Sequence, residues 1–516
     1  MRRRSGVPFV SLLLLLILCS CSGSDSGGRA ETIRSSLPGC DGIQAVSSTP
    51  PTGPKVDSAA GRADGSVSVR LDRAGTGLNE NLIGVGWNTG DDLEALAPLR
   101  PPTVRIDASL QDLSHSPLVL DLSPLLAKVR EVRSIGAEPI VILGYMPRWL
   151  SSDPDSADPT HAPPADLDQW QALVETVVRT LATAPTPARR FEVWNEPDLT
   201  YFWQGDHASF VQLALRTQRA VADVEARTGL DIEVGGPATS NGVPGWLLGW
   251  MRESAARGLP LDFVSWHRYA NSPYLGPDGA EDHVSRSVYL RWAGRNPDAS
   301  ADTYAEEIEA VKRSVEGTLM GTNLTPSFTI DEWNLSSGGR DLRHDTSEGA
   351  ALVAGTLMKM QAAGLDGANF YRAVSAQGAE GDWGMTTADG KAKPAWWVFR
   401  SWRAMEGRVL DTSTGGSAKG EGAGGLDAIA TLNDSGCVSV LLSNFVATGS
   451  RARDVEVRFD GELPTCSTGR TTTVSTLDSE STSLATATVT RLRRDRTLDI
   501  DMEPQSVALL RIGCSG

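Results

Sequence analysis

From about residue 80 to about residue 405 the chain repeats one unit: a short apolar or β-branched run, a loop, and a stretch with apolar residues at helical spacing. The runs are LIGVGW (82–87), TVRID (103–107), EPIVILGY (138–145), RFEVW (190–194), DIEVGG (231–236), DFVSWH (262–267), SFTIDE (327–332) and ANFYR (368–372). Between them, DLDQWQALVETVVRTLA, HASFVQLALRTQRAVADVEA and EGAALVAGTLMKMQAAG place apolar residues three and four apart, the period of a helix that buries one face. Strands alternating with helices build parallel β/α units, because a parallel neighbour can be reached only by a crossover. Eight units over roughly 320 residues predict a (β/α)8 TIM barrel with enlarged loops. The other architecture open to such a pattern, a doubly wound open sheet, usually carries a glycine-rich nucleotide turn after an early strand. The sequence has none.

The flanks read differently. After KPAWWVFRSWRAM (393–405) helical periodicity stops, and residues 408–516 carry alternating runs such as LDAIATL, CVSVLLSNF, RDVEVRF, RTTTVSTL and SVALLRI, separated by Gly, Asp and Ser. This predicts a C-terminal β-sandwich. SVSVRLD (66–72) alternates like a strand and precedes the barrel, so the segment 66–80 is expected to join the sandwich, with the barrel over 81–407. At the N-terminus, MRRR and SLLLLLILCS form a basic segment followed by an apolar run too short to span a bilayer comfortably. The run ends Leu18-Cys19-Ser20-Cys21, which resembles a bacterial lipobox with Ser20 at the small position before a lipidated Cys21. Residues 1–21 therefore read as a lipoprotein signal, an ordinary secretory signal being the alternative, and the Ser-, Gly- and Pro-rich residues 22–65 as a tether. The expected location is outside the cytoplasm, lipid-anchored to the cell membrane. The four remaining cysteines, Cys40, Cys437, Cys466 and Cys514, are an even number in an exported chain and suggest disulfides with three possible pairings. The pairs expected are Cys437–Cys466, closing a sandwich loop, and Cys40–Cys514, tying the tether to the chain end; each closure is worth about 2–4 kcal/mol. None of them has metal-ligand spacing, and no metal or cofactor is expected. A formal net charge of −16 repels phosphate backbones and argues against nucleic acid as a partner.

The chemistry concentrates in FEVWNEPDLTYFW (191–203). Taken alone, it has two readings: Asn195 capping a helix whose first turn holds Pro197, or Glu196 as a catalytic carboxyl. SFTIDEWN (327–334) decides between them, because Glu332 ends the seventh strand as Glu196 ends the fourth. Residues at the C-terminal ends of barrel strands converge on one pocket. Two facing carboxyl groups suit glycoside hydrolysis, one protonated to donate to the leaving oxygen and one ionised to attack or to activate water. Two buried ion-paired glutamates would be the structural alternative, but that leaves unexplained why both end strands beside Trp and Asn.

Six stretches, in order, resemble glycoside hydrolase family 39, which includes β-xylosidases and α-L-iduronidases: APPADLDQW (162–170), EVWNEPDLTYFW (192–203), VGGPATS (234–240), DFVSWHRY (262–269), TIDEWN (329–334) and WGMTTADGKAKPAWWVF (383–399). The resemblance runs from about residue 80 to 405 and implies a retaining mechanism with Glu196 as acid/base and Glu332 as nucleophile. It also implies that Asn195 bonds the sugar 2-hydroxyl. His267 and Tyr269, two apart on strand six, share one side of it; Tyr269 is expected to donate to Glu332 and His267 to touch a sugar hydroxyl. Arg105 on strand two orients a catalytic glutamate or forms a barrel-interior ion pair. Trp383 forms the floor under the sugar or packs against Trp396 and Trp397. The aromatics of the loop 271–300 (Tyr274, Tyr289 and Trp292) suggest a lid or a stacking wall. Arg372 is a candidate for a substrate carboxylate, but the nearby Glu380 and Asp382 suit a neutral sugar such as a β-xyloside better. The competing readings are an iduronidase-like or other specificity within the family, a carbohydrate-binding protein without turnover, and a structural lipoprotein.

Overall fold

The computed structural model describes residues 65–88, 93–242, 244–272, 300–416, 424–447, 451–465, 470–484 and 487–514. The expected signal with Cys21, the tether up to residue 64, Cys40, Cys466, the side chain of Cys514 and the loop residues Pro273, Tyr274, Pro277, Tyr289 and Trp292 lie outside them. Cys437 is buried. Among the described residues no helix is long and apolar enough to cross a membrane.

Strand β1 (Gly65–Gly77) precedes eight strands that close into a barrel: β2 (Gly84–Trp87), β3 (Thr103–Asp107), β4 (Glu138–Leu143), β5 (Arg190–Val193), β6 (Glu233–Thr239), β7 (Phe263–Tyr269), β8 (Ser327–Asn334) and β9 (Gly367–Phe370). Each pairs in parallel with the next, and β9 pairs with β2. Among the described residues the helices longer than one turn that follow these strands are α1 (Ser123–Ser134), α2 (Leu167–Ala182), α3 (His207–Thr228), α4 (Pro244–Arg257), α5 (Asp302–Leu319), α6 (Ser347–Ala362) and α7 (Pro394–Ala404). The first β/α unit differs: among its described residues it has only a 3-10 turn, Glu94–Leu99, because Pro98 lies inside it and Pro101 and Pro102 follow.

Local chemistry sets the helix ends. Asp166 caps α2 by accepting from the Asp168 and Gln169 amides at 2.8 and 3.1 Å. Asp206 caps α3 through the Ser209 amide at 2.7 Å. A cap of this kind is worth about 1 kcal/mol. Helix α3 stops at Gly229, whose φ of 67° costs glycine little.

A second, curled sheet has the order β15-β14-β17-β12-β11-β10-β1-β13-β16, where β10 is Arg408–Gly415, β11 Gly424–Leu432, β12 Val438–Val446, β13 Arg453–Asp460, β14 Arg470–Leu477, β15 Thr488–Thr490, β16 Thr497–Met502 and β17 Ser506–Cys514. All its pairings are antiparallel except β1 with β13. The N-terminal strand thus sits inside the C-terminal sheet, its Val67, Val69 and Leu71 in the sheet's own core. Strand β12 is buried along its whole length. Its alternate residues divide between two cores: Val438, Val440 and Leu442 face the sheet's interior, while Leu441 and Phe445 join the barrel's core. Ser443 on the latter face donates to the Ala351 carbonyl of α6 at 2.7 Å. Helix α6 is therefore covered on both sides, which explains why AALVAGTLM is apolar nearly all round.

Candidate active site

The segment after β5 makes no helix at Asn195; it turns. Trp194 and Glu196 have φ of 67° and 45°, left-handed values that cost a non-glycine residue roughly 1–3 kcal/mol each. The surroundings hold them there. The Glu196 amide donates to the Ala238 carbonyl at 2.8 Å, and the Trp194 indole donates to the Phe202 carbonyl at 2.8 Å. The Trp194 ring also packs edge-on against Trp203 and Tyr145, at 5.1 and 5.4 Å. The aromatics around NEP are thus the matrix that fixes a sharp turn.

Across the barrel, β8 carries a register irregularity. Ile330 pairs with Trp266, but Glu332 pairs with His267, so Asp331 is an extra residue in the ladder. Such a bulge re-aims side chains, and here both Asp331 and Glu332 reach Arg105: Asp331 Oδ2 lies 3.0 Å from Nε, and Glu332 Oε2 3.2 Å from Nη1. The Tyr269 hydroxyl donates to Glu332 Oε1 at 2.5 Å. A Glu196 oxygen, a Glu332 oxygen and a His267 nitrogen all lie within 4.8 Å of one another. These atoms have the donor set of a small metal site, but Arg105, Tyr269 and the His267–Glu196 bond already engage them.

Arg105 reaches both the site and the barrel interior. Its Nη2 donates to Asn195 Oδ1 at 2.9 Å and its Nη1 reaches Glu332, so it orients two site residues. Its Nε donates to Glu192 Oε2 at 2.6 Å, so it is also a barrel-interior ion pair. Burial works against its charge, but Glu192, Asp331 and Glu332 outweigh burial and push its pKa up. With Asn195 Oδ1 committed to Arg105, the amide NH2 is the group Asn195 offers a ligand.

His267 sits differently from the expectation. It is fully buried, and its Nδ1 lies 2.9 Å from Glu196 Oε1, so its protein contact is the expected acid/base group. Burial lowers its pKa to about 4, which leaves the ring neutral at pH 7. Burial raises the Glu196 pKa to about 7, with the Arg105 charge opposing it. Burial and the Glu332 carboxylate hold the Tyr269 hydroxyl well above its usual range, so it stays a donor. Trp383 meets Tyr371 edge-on at 5.5 Å, and its indole donates to the Ser336 carbonyl at 2.9 Å. Trp396 instead stacks edge-on with Trp397 at 4.9 Å. Arg372 pairs with Asp382 at 3.1 Å.

Several residues at the site were not singled out from the sequence. Glu192 and Asp331 lie beneath the two glutamates, and Ser265 Oγ donates to Glu192 Oε1 at 2.6 Å. Asp198 accepts from the Ser240 amide and hydroxyl at 2.9 and 2.6 Å, which ties the segment after Glu196 to the end of β6. Burial lifts the Asp198 pKa to about 7. A signal was present: an acid inside a strand buried on both faces must find a partner, and RFEV carries Glu192 while TIDE carries Asp331 ahead of Glu332.

Residues 127–436 match the family model for glycosyl hydrolases family 39. A beta-xylosidase of Caldicellulosiruptor saccharolyticus is 27% identical over 233 residues, 43% of this chain and 42% of that protein. A beta-xylosidase of Geobacillus stearothermophilus is 31% identical over 146 residues, 27% of this chain and 28% of that protein. The chain matches less than half the length of either relative. Among solved structures, a monomeric beta-xylosidase from Caulobacter crescentus CB15 superposes with a TM-score of 0.66 over 87% of this chain and 100% of that one, at 18% identity. That likeness is one of fold.

Proposed function

The chain belongs to glycosyl hydrolases family 39, and from that premise we propose that it is a retaining glycosidase acting on a neutral sugar such as a β-xyloside. The observation that carries this reading is the closeness of two unlike carboxyl groups. One oxygen of Glu196 and one of Glu332 lie within 4.8 Å of each other, which favours the short separation of retention, about 5–5.5 Å between the carboxyl groups, over the roughly 6.5–9.5 Å with which inversion admits a water. Glu332 attacks the anomeric carbon as the bond to the leaving oxygen breaks, and Glu196 gives its proton to that oxygen. Water then attacks the glycosyl ester, Glu196 takes the water's proton, and Glu332 leaves as carboxylate. Arg105 and Tyr269 hold the two Glu332 oxygens for in-line attack. The Asn195 amide faces the sugar 2-hydroxyl in this reading.

The Arg372–Asp382 pair supports a neutral sugar. An anionic sugar would have to break that pair while entering a pocket rich in carboxyl groups. A panel of aryl glycosides tests this, with the first-formed anomer followed by NMR. The expected result is release from an aryl β-xyloside with the β-anomer appearing first. Faster release from an aryl α-L-iduronide would overturn the sugar assignment. An α-anomer appearing first from the β-xyloside would overturn retention, and release from none would overturn the enzyme reading.

We also propose that the protein is exported and membrane-anchored through lipid on Cys21, with Cys437–Cys466 and Cys40–Cys514 as disulfides. Mass spectrometry of the membrane fraction should find a diacylglyceryl group on Cys21, absent in Cys21→Ala, and the two cross-linked peptides. Lipid retained in the variant, or free thiols at the four cysteines, would refute the corresponding assignment.

A further inference from the structure

Beneath the site, two carboxyl groups compete for one N–H. Glu192 and Asp331 are 0% and 1% exposed, and Arg105 Nε lies 2.6 Å from one and 3.0 Å from the other. The N–H points to Glu192, which also accepts from Ser265. Among the described residues neither Asp331 oxygen accepts a hydrogen bond, and its Oδ1 lies 3.9 Å from His267 Nε2, which also lacks a partner. An ionised Asp331 would be a buried carboxylate without a donor beside a second anion, an arrangement that costs several kcal/mol. A proton on it converts that repulsion into an O–H···O bond to Glu192.

We infer that Asp331 carries a proton through turnover and that the Asp331–Glu192 pair is a positioning device for Arg105. This rests on the glycosidase reading only for its kinetic consequence. Glu192 anchors Nε, so the other two arms of the guanidinium are left for Glu332 and Asn195. The bulge at Asp331 makes this possible, because it turns two consecutive residues of β8 toward Arg105: Asp331 to brace it and Glu332 to be held by it. The groups facing Asp331 are Arg105 from β3, Glu192 from β5, His267 from β7 and Glu332 on its own strand. Burial, with Glu192 next, pushes the Asp331 carboxyl well above its usual range; burial also pushes Glu192 up, but the Arg105 charge together with hydrogen bonds from Asp331, Ser265 and Arg105 holds it below its own.

The device predicts an asymmetry. Asp331→Asn replaces the neutral acid by a neutral amide that also donates to Glu192, so the acid limb of its kcat/KM profile should stay in place and its rate should fall by less than about 10-fold. Glu192→Gln removes the anion that anchors Arg105. Its rate should fall by about 10²-fold, carried by kcat rather than KM, with the acid limb moved to lower pH. An infrared difference spectrum at about pH 9, above the range in which Glu196 titrates, reads the proton without turnover: wild type should show a carboxylic-acid carbonyl band that Asp331→Asn lacks. No such band, or an acid limb that shifts in Asp331→Asn as it does in Glu192→Gln, overturns the proposal. If Glu192→Gln does not fold, the spectrum and the Asp331→Asn profile still decide. If wild type shows the band but cleaves no glycoside, the proton assignment stands and the glycosidase reading fails.

Discussion

Replacing Glu332 by alanine is expected to lower kcat by about 10⁶-fold on every glycoside, the scale on which losing a nucleophile costs an enzyme. The loss should not depend on the leaving group. Without the carboxylate no glycosyl-enzyme forms, and a good leaving group does not supply the missing attack. The space vacated beside Tyr269 and Arg105 admits a small anion. Azide should therefore attack the anomeric carbon directly and give a glycosyl azide of inverted configuration. The fold should survive, because Arg105 keeps Glu192 and Asn195 as partners, and a thermal melt checks this. A Glu332→Ala protein that turns over a dinitrophenyl glycoside at the wild-type rate would remove Glu332 from the nucleophile's place.

How much of this site lay open in the sequence follows from which interactions are local. The eight strands and three of the helices announce themselves by period, since each buries a face on its own immediate neighbours. The described residues of the first β/α unit form no α-helix because three prolines in a short stretch forbid one. The two glutamates are visible because strand ends converge in a barrel wherever the chain goes next. What period cannot show is which side chains meet inside. Glu192 and Asp331 are 139 positions apart, and only closure of the barrel and the bulge at Asp331 bring both to one guanidinium. Alternation along the strand gives the side on which His267 lies but not its depth, and depth makes it a partner of Glu196. The place of β1 was open to expectation but its neighbours were not: it pairs with β10 and β13, more than 330 positions away, and no local signal encodes such a pairing.

Glu196→Ala should behave differently, because it removes a proton and not an attacking group. General acid assistance is typically worth about 10²–10⁴-fold, so substrates with poor leaving groups should lose that much. A dinitrophenyl glycoside needs little protonation, so Glu332 can still form the glycosyl-enzyme, which then waits for a water that no base activates. Product should appear as a burst followed by slow turnover. Azide needs no base, so it should speed the second step and give a glycosyl azide of retained configuration, opposite to that from Glu332→Ala. The pH dependence follows from the same group. Burial raises the Glu196 pKa to about 7, so the acid is protonated below that pH and lost above it. Wild-type kcat/KM on a poor leaving group should accordingly fall as pH rises through about 7, since that ratio reports the free enzyme. In Glu196→Ala this basic limb should vanish for the first step. A limb that persists there would assign it elsewhere, and Asp198, also raised to about 7 and two residues away, is the first group to examine. Inverted azide from Glu196→Ala and retained azide from Glu332→Ala would mean that the two carboxyls exchange roles, with the proton on the β8 side of the sugar and the nucleophile on the β5 side.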